Sequence, residues 1–66
     1  MKTDFLLQNE GTISILHMCS KAAKAWVADH LPEEAMRWGH NGVVIEHHYV
    51  GDIVNGIIND GLEIAP

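Results

Sequence analysis

Histidine and cysteine are the residues of this sequence that could hold a metal ion. The chain has 66 residues, of which five are histidine and one is cysteine. Zinc binds imidazole nitrogens and thiolates, usually four of them in a tetrahedron. His17 and Cys19 are two residues apart, so on an extended segment both could face the same way. Either His47 or His48 could join them, and His40 could supply the fourth ligand. The spacing matches neither a metal finger nor a metalloprotease helix. We therefore expect no cofactor, and keep a small zinc-binding protein as the alternative function.

Catalysis by the cysteine is a weaker hypothesis. A nucleophilic cysteine needs a nearby base and a third group that orients the base. A free cysteine is more often a small buried hydrophobic residue. A chain this short rarely encloses a pocket of about 300 Å³ or more unless two subunits share it. The sequence therefore predicts that the protein is not an enzyme.

A contact patch is predicted where large side chains follow one another. Met36, Arg37 and Trp38 are adjacent, and these three residue types are enriched at the buried centres of protein interfaces. The alternative is that Trp38 packs in the core while Arg37 is solvated. We expect this patch to bind a protein partner.

Acidic residues dominate the second half of the chain. The formal net charge is −5, and no lysine or arginine follows Arg37. Because nucleic-acid sites are basic, this half should repel nucleic acid, and we expect no direct binding to it. Glu46, Asp52 and Asp60 are the candidates for a surface presented to a basic partner. The alternative is an ordinary solubilising surface.

Size and composition limit how the protein can be stabilised. One small domain of this length buries only about 60% of its unfolded surface, so a metal or an oligomer is expected to support it. A single cysteine cannot form an internal disulfide and suits a reducing compartment. The first residues lack the pattern of a signal peptide, and no apolar run reaches the ~20 residues that span a bilayer. We expect a cytoplasmic protein that contacts no membrane and forms a homodimer.

The first half of the domain reads as a strand followed by a helix. Residues 1–10 are predicted to be a loosely held lead-in, although residues 5–7 could dock on the core, and residues 11–66 are predicted to be one small domain. Alternation of apolar and polar residues predicts a strand over residues 12–17. Ser20 is a suitable N-cap for a helix over residues 21–31, which the following proline ends.

The second half is predicted to contain a short helix, a strand and a third helix, in that order. Residues 33–38 are predicted to form a short helix, because a proline precedes two glutamates. A strand follows over residues 43–47. A third helix then begins near His48 or Tyr49, although a start capped by Asp52 is the alternative.

The end of the third helix carries the signals of a Schellman motif, in which a glycine closes the helix and the next residue folds back on it. Gly61 is predicted to be that glycine, and Leu62 to fold back on Ile57. Residues 62–64 could form a final strand. The predicted fold is α+β or small α/β, with the order β-α-α-β-α-β and a sheet of two or three strands packed against helices.

The chain also resembles small uncharacterised proteins of proteobacteria and of their phages and mobile elements. The resemblance covers most of the sequence after Gly11 and is carried by Ser20, Ala22, Ala23, Trp26, His30, Leu31, Pro32, Ala35, Trp38, Gly39, Val44, Glu46, Tyr49, Val50, Asp52, Ile53, Val54, Gly56, Asp60, Gly61 and Leu62. It implies a short bacterial accessory protein, and a phage-borne member would be expected to bind and block a host protein. The group has no established activity, so the resemblance assigns no site residue.

The sequence favours a non-enzymatic, small acidic interaction module. Such a module would self-associate through a sheet edge or through the apolar stripe of the third helix, because short sheets have open edges. It would bind its protein partner through the contact patch and the acidic half.

Overall fold

The computed structural model of the chain describes residues 3–32, 37–39 and 41–65, which form a small α+β fold. The elements in chain order are β1 (Phe5–Asn9), β2 (Ile13–Met18), α1 (Lys21–His30), β3 (Arg37–Trp38), β4 (Gly42–Glu46), a 3-10 helix (His47–Tyr49), α2 (Val50–Asn59) and β5 (Ile64–Ala65). The predicted α+β class is confirmed. The predicted element order and the count of two or three strands are wrong, since the sheet has five strands.

The sheet is mixed, and its strand order is β3-β4-β2-β1-β5. The pairs β1–β2, β2–β4 and β3–β4 are antiparallel, whereas β1 and β5 are parallel. The two outermost strands, β3 and β5, are each two residues long. Short outer strands are a common way to limit pairing between sheet edges.

Strand β1 lies in the segment that was predicted to be a lead-in with residues 5–7 able to dock on the core. Phe5 is fully buried and pairs with Met18 of β2. Its ring meets the indole of Trp26 edge-on, with the ring centroids 5.9 Å apart. The apolar residues at the start of the chain therefore form an inner strand of the sheet, because β2 on one side and β5 on the other satisfy its backbone.

Strand β3 replaces part of the predicted short helix. The helix was expected over residues 33–38, of which 33–36 lie outside the described residues. Arg37 and Trp38 instead pair with Val43 and Gly42 of β4. The proline and glutamates that favour a helix start act locally, whereas pairing with β4 satisfies the backbone of residues 37–38 through a strand.

The core lies between one face of the sheet and the two α-helices. Leu16 and Val43 are opposite each other in β2 and β4 and are both fully buried. The rest of the buried cluster comes from the same side of the sheet and from the inner faces of the helices, namely Phe5, Met18, Ala23, Trp26, Val27, Ile45 and Ile57.

The ends of the helices follow the sequence signals closely. The Ser20 hydroxyl accepts a hydrogen bond from the Ala23 amide at 3.0 Å, which confirms the predicted N-cap. A 3-10 turn over His47–Tyr49 leads directly into α2, so the early start is confirmed and Asp52 lies inside the first turn.

The predicted Schellman motif closes α2. Gly61 has a positive φ of 81°. The Leu62 amide donates to the Ile57 carbonyl at 3.1 Å, and the Gly61 amide donates to the Ile58 carbonyl at 3.0 Å. The final strand is Ile64–Ala65 rather than the predicted 62–64.

The buried carboxylate of Asp4 connects three distant parts of the chain. One oxygen accepts the Ser20 hydroxyl at 2.6 Å, and the other accepts the Glu63 amide at 3.0 Å. The Asp4 carbonyl also accepts the Cys19 amide at 2.7 Å. Asp4 therefore joins the start of β1, the cap of α1 and the segment that leads into β5.

Candidate interaction site

One face of the sheet carries no α-helix among the described residues, and we call it the open face. A single row crosses it, because Trp38 pairs with Gly42, Gly42 with His17, His17 with Leu6, and Leu6 with Ala65. Trp38 and Leu6 are 56% and 43% exposed. At about 4.8 Å per strand, these two side chains lie roughly 15 Å apart. The row thus presents two large apolar groups on one surface.

Gly42 allows Trp38 to occupy its place in this row. A Cβ atom at Gly42 would collide with the carbonyl oxygen of Trp38 and would lie 3.2 Å from Cγ2 of Ile15. Since a backbone oxygen cannot turn away as a side chain can, the short strand β3 can sit this close to β4 only beside a glycine.

The predicted contact patch is divided by the structure. Arg37 and Trp38 are both exposed neighbours in β3. Successive residues of a strand point to opposite faces, so Trp38 lies on the open face and Arg37 on the other. Met36 lies outside the described residues. The exposed part of the patch on the open face is therefore Trp38.

A groove of about 700 Å³ lies where the end of β4 meets the start of α2 and the end of α1. We call it the terminal groove; its lining is Ile13, Leu31, Pro32, Val44, Ile45, Glu46, Tyr49, Asp52 and Ile53. The terminal groove is open to solvent along exposed residues such as Pro32 and Glu46, so it is not an enclosed pocket of the kind that is rare in so short a chain. Among the described residues, the pairing of β3 with β4 reaches Val43, and the groove lies beyond that point.

The three predicted acidic residues fall into two places. Glu46, the last residue of β4, and Asp52, in the first turn of α2, both line the terminal groove. Asp60 lies at the other end of α2. Its carboxylate accepts the indole N–H of Trp26 at 2.7 Å and lies 3.4 Å from Nε2 of His30. Asp60 thus joins α2 to α1, a role that the sequence analysis did not assign to it.

Two further features shape the contact between α1 and α2. Two rings of α1 stack on each other, and a glycine of α2 lies close to one of them. The rings of Trp26 and His30 are stacked with centroids 4.2 Å apart, and Nδ1 of His30 lies 2.9 Å from the Trp26 carbonyl. A Cβ atom at Gly56 would lie 3.2 Å from the Trp26 ring. The spacing of Trp26 and His30 along one helix could have suggested the stack, whereas Asp60 is too distant in sequence to be found this way.

Two of the candidate histidines of the alternative zinc site, His17 and His47, lie far apart. Nε2 of His17 lies 2.9 Å from the side-chain oxygen of Gln8. Cys19 is exposed, with Sγ 3.8 Å from the carbonyl oxygen of His17. His17 pairs with Gly42, at the opposite end of β4 from His47, a separation of roughly 15 Å.

His40 lies outside the described residues. In the part of the chain that the structure describes, no group of three or more potential ligands is placed to hold a metal.

Comparison with known proteins yields no match from a family model, a curated protein or a solved structure. The resemblance to small proteobacterial and phage proteins consequently stays a prediction. Within the described ranges, no helix is long and apolar enough to cross a membrane.

Proposed function

We propose that this chain is a non-enzymatic interaction module that forms a homodimer and binds a protein partner. The observation that carries the proposal is the open face, where Trp38 and Leu6 expose large apolar surface in one row of the sheet. Tryptophan is among the residues that contribute most to binding when an interface buries them. Burial of this row against a second copy would also add the stability that so small a core lacks.

Other surfaces support self-association less well. The apolar stripe of α2 is largely used within the protein, because Ile57 is buried and Val50 and Ile53 pack against the core. In the part of the chain that the structure describes, the outer strands β3 and β5 offer two residues each for edge pairing. The open face therefore replaces the sheet edge and the helix stripe as the proposed dimer interface.

The proposal places the protein in the cytoplasm of a bacterium, as an accessory or inhibitor protein of a phage or mobile element. The free, exposed Cys19 fits a reducing compartment. The bacterial and phage setting rests on the resemblance alone.

The test is the oligomeric state measured by sedimentation velocity over a range of protein concentrations. We expect the wild type to dimerise. Trp38→Ser should raise the dimer dissociation constant at least about thirtyfold, since a tryptophan at the centre of an interface typically contributes about 2 kcal/mol and a homodimer carries the substitution in both copies. Leu6→Ser should weaken the dimer in the same direction.

Ile58→Ser is the matched control, because Ile58 of α2 is 56% exposed, as is Trp38. It should leave the dissociation constant unchanged. A wild type that stays monomeric at all concentrations would refute self-association. Loss of the dimer in Ile58→Ser but not in Trp38→Ser would move the interface to α2.

A further inference from the structure

We infer that the terminal groove binds a peptide segment of the partner protein in which a large apolar side chain stands next to a lysine or arginine. This inference rests on the proposed function and specifies the chemistry of the partner. The groove is built from other residues than the row of Trp38 and Leu6, although Val44 and Glu46 lie on the same face of β4 as Gly42, so variants of the two sites can be tested separately.

The floor of the groove is suited to an apolar side chain. Val44 and Ile45 of β4, Leu31 after α1 and Ile53 of α2 contribute aliphatic surface. Binding sites for apolar groups typically have volumes of about 300–1,000 Å³, and this groove falls within that range at about 700 Å³. Tyr49, which is 51% exposed, also lines the groove, and its ring contacts the His48 ring with the centroids 4.3 Å apart.

The rim of the groove selects a cation. Glu46 and Asp52 are both exposed and both line the groove, whereas its described lining contains no lysine or arginine. The ion pair found among the described side chains joins His30 to Asp60. The carboxylates of Glu46 and Asp52 take no part in it and are available to a ligand. Two like charges beside an apolar floor favour a ligand that combines an apolar group with positive charge.

The same charges argue against other occupants. Phosphate groups would meet two carboxylates, so nucleic acid is disfavoured. A second copy of this chain is also disfavoured, because it brings a net charge of −5 towards an acidic rim. The groove is open to solvent along exposed residues such as Pro32 and Glu46, which suits a segment of polypeptide.

The experiment is an NMR titration of the ¹⁵N-labelled full chain with two capped synthetic peptides, Lys-Phe-Leu-Lys and Glu-Phe-Leu-Glu. The basic peptide should shift the amide signals of Val44, Tyr49 and Ile53. The acidic peptide, which has the same apolar residues, should leave them unchanged at concentrations up to about 10 mM, at which even a weak site fills.

The double variant Glu46→Gln with Asp52→Asn should weaken binding of the basic peptide roughly two- to thirtyfold, because each exposed ion pair contributes about 0.2–1 kcal/mol. The matched control is Asp29→Asn, which removes an exposed carboxylate of α1 outside the groove. It should bind the basic peptide as the wild type does. The dispersion of the amide spectrum reports whether each variant is folded.

Three results would overturn the inference. The first is equal binding of both peptides. The second is that the signal changes are centred on Leu6 and Trp38 of the open face. The third is contact between the Val44 methyl groups and residues 33–36 of the same chain in the free protein. If the dimer dissociates in Trp38→Ser while the basic peptide does not bind, the groove inference fails and the proposed function stands. A monomer that binds neither peptide would refute both.

Discussion

Replacement of Asp4 by alanine should destabilise the protein more than the loss of any exposed carboxylate. The side chain is 7% exposed and accepts hydrogen bonds from the Ser20 hydroxyl and the Glu63 amide. Hydrogen bonds to a charged group contribute about 1.5–3 kcal/mol each. Because the Ser20 hydroxyl can turn towards water, we expect the lower part of the summed range, a loss of about 3 kcal/mol in the free energy of unfolding.

This loss is large for a domain of this size. Stabilities of about 0.05–0.15 kcal/mol per residue correspond to roughly 3–10 kcal/mol for the whole chain. Urea unfolding, followed by the fluorescence of the buried Trp26, measures the change. Asp4→Asn should be milder, because the amide can accept from the Glu63 N–H and donate to the Ser20 oxygen.

A double-mutant cycle separates the contact with Ser20 from the other effects of Asp4. Ser20→Ala alone should cost about 1 kcal/mol for the lost N-cap, plus the cost of leaving a carboxylate oxygen without that donor. The coupling energy between the two substitutions should be at least about 1.5 kcal/mol. Asp29→Ala, which removes an exposed carboxylate of α1, should change stability by no more than about 0.5 kcal/mol.

The reasoning would be refuted by a loss below about 1 kcal/mol in Asp4→Ala, which is the range of a neutral hydrogen bond. A coupling energy near zero would show that the Ser20 contact is absent in solution. In either case Asp4 would not be the residue that joins β1 to the cap of α1.

Three further substitutions probe the packing that positions the proposed surfaces. Gly42→Ala should lower the free energy of unfolding by about 1–3 kcal/mol, since its Cβ would collide with the Trp38 carbonyl. Thermal unfolding measures this change, and an unchanged melting temperature would contradict the prediction. Asp60→Ala should lower the free energy of unfolding by about 1 kcal/mol, because the Trp26 indole N–H loses its half-exposed acceptor. The NMR signal of the Trp26 Nε1–H proton should shift, and a signal that stays in place would show that the hydrogen bond is not made. Gly61→Ala should lower the free energy of unfolding by about 1–2 kcal/mol, because Gly61 has a φ of 81°. Gly51→Ala in α2 is the control, since a Cβ there meets open space. In the same urea titration, it should leave the stability unchanged or raise it.

The sequence by itself determined the parts of the fold that depend on neighbouring residues. The start of α1 at the Ser20 cap and the closure of α2 by Gly61 and Leu62 were both predicted. These signals act over a few residues, because a cap or a glycine satisfies amides and carbonyls of its own helix end. The α+β class also followed from local periodicity.

Only the tertiary structure decided which strands pair and which side chains meet. Residues of β1 and β3 become strands because β2 and β4 satisfy their backbone hydrogen bonds. The local sequence patterns of these segments predicted a lead-in and a helix instead. Asp4 meets partners 16 and 59 positions away in sequence. The terminal groove likewise combines residues from β2, β4, α2 and the end of α1. Contacts between such distant residues depend on how the whole chain packs, and patterns within a single sequence carry little information about them.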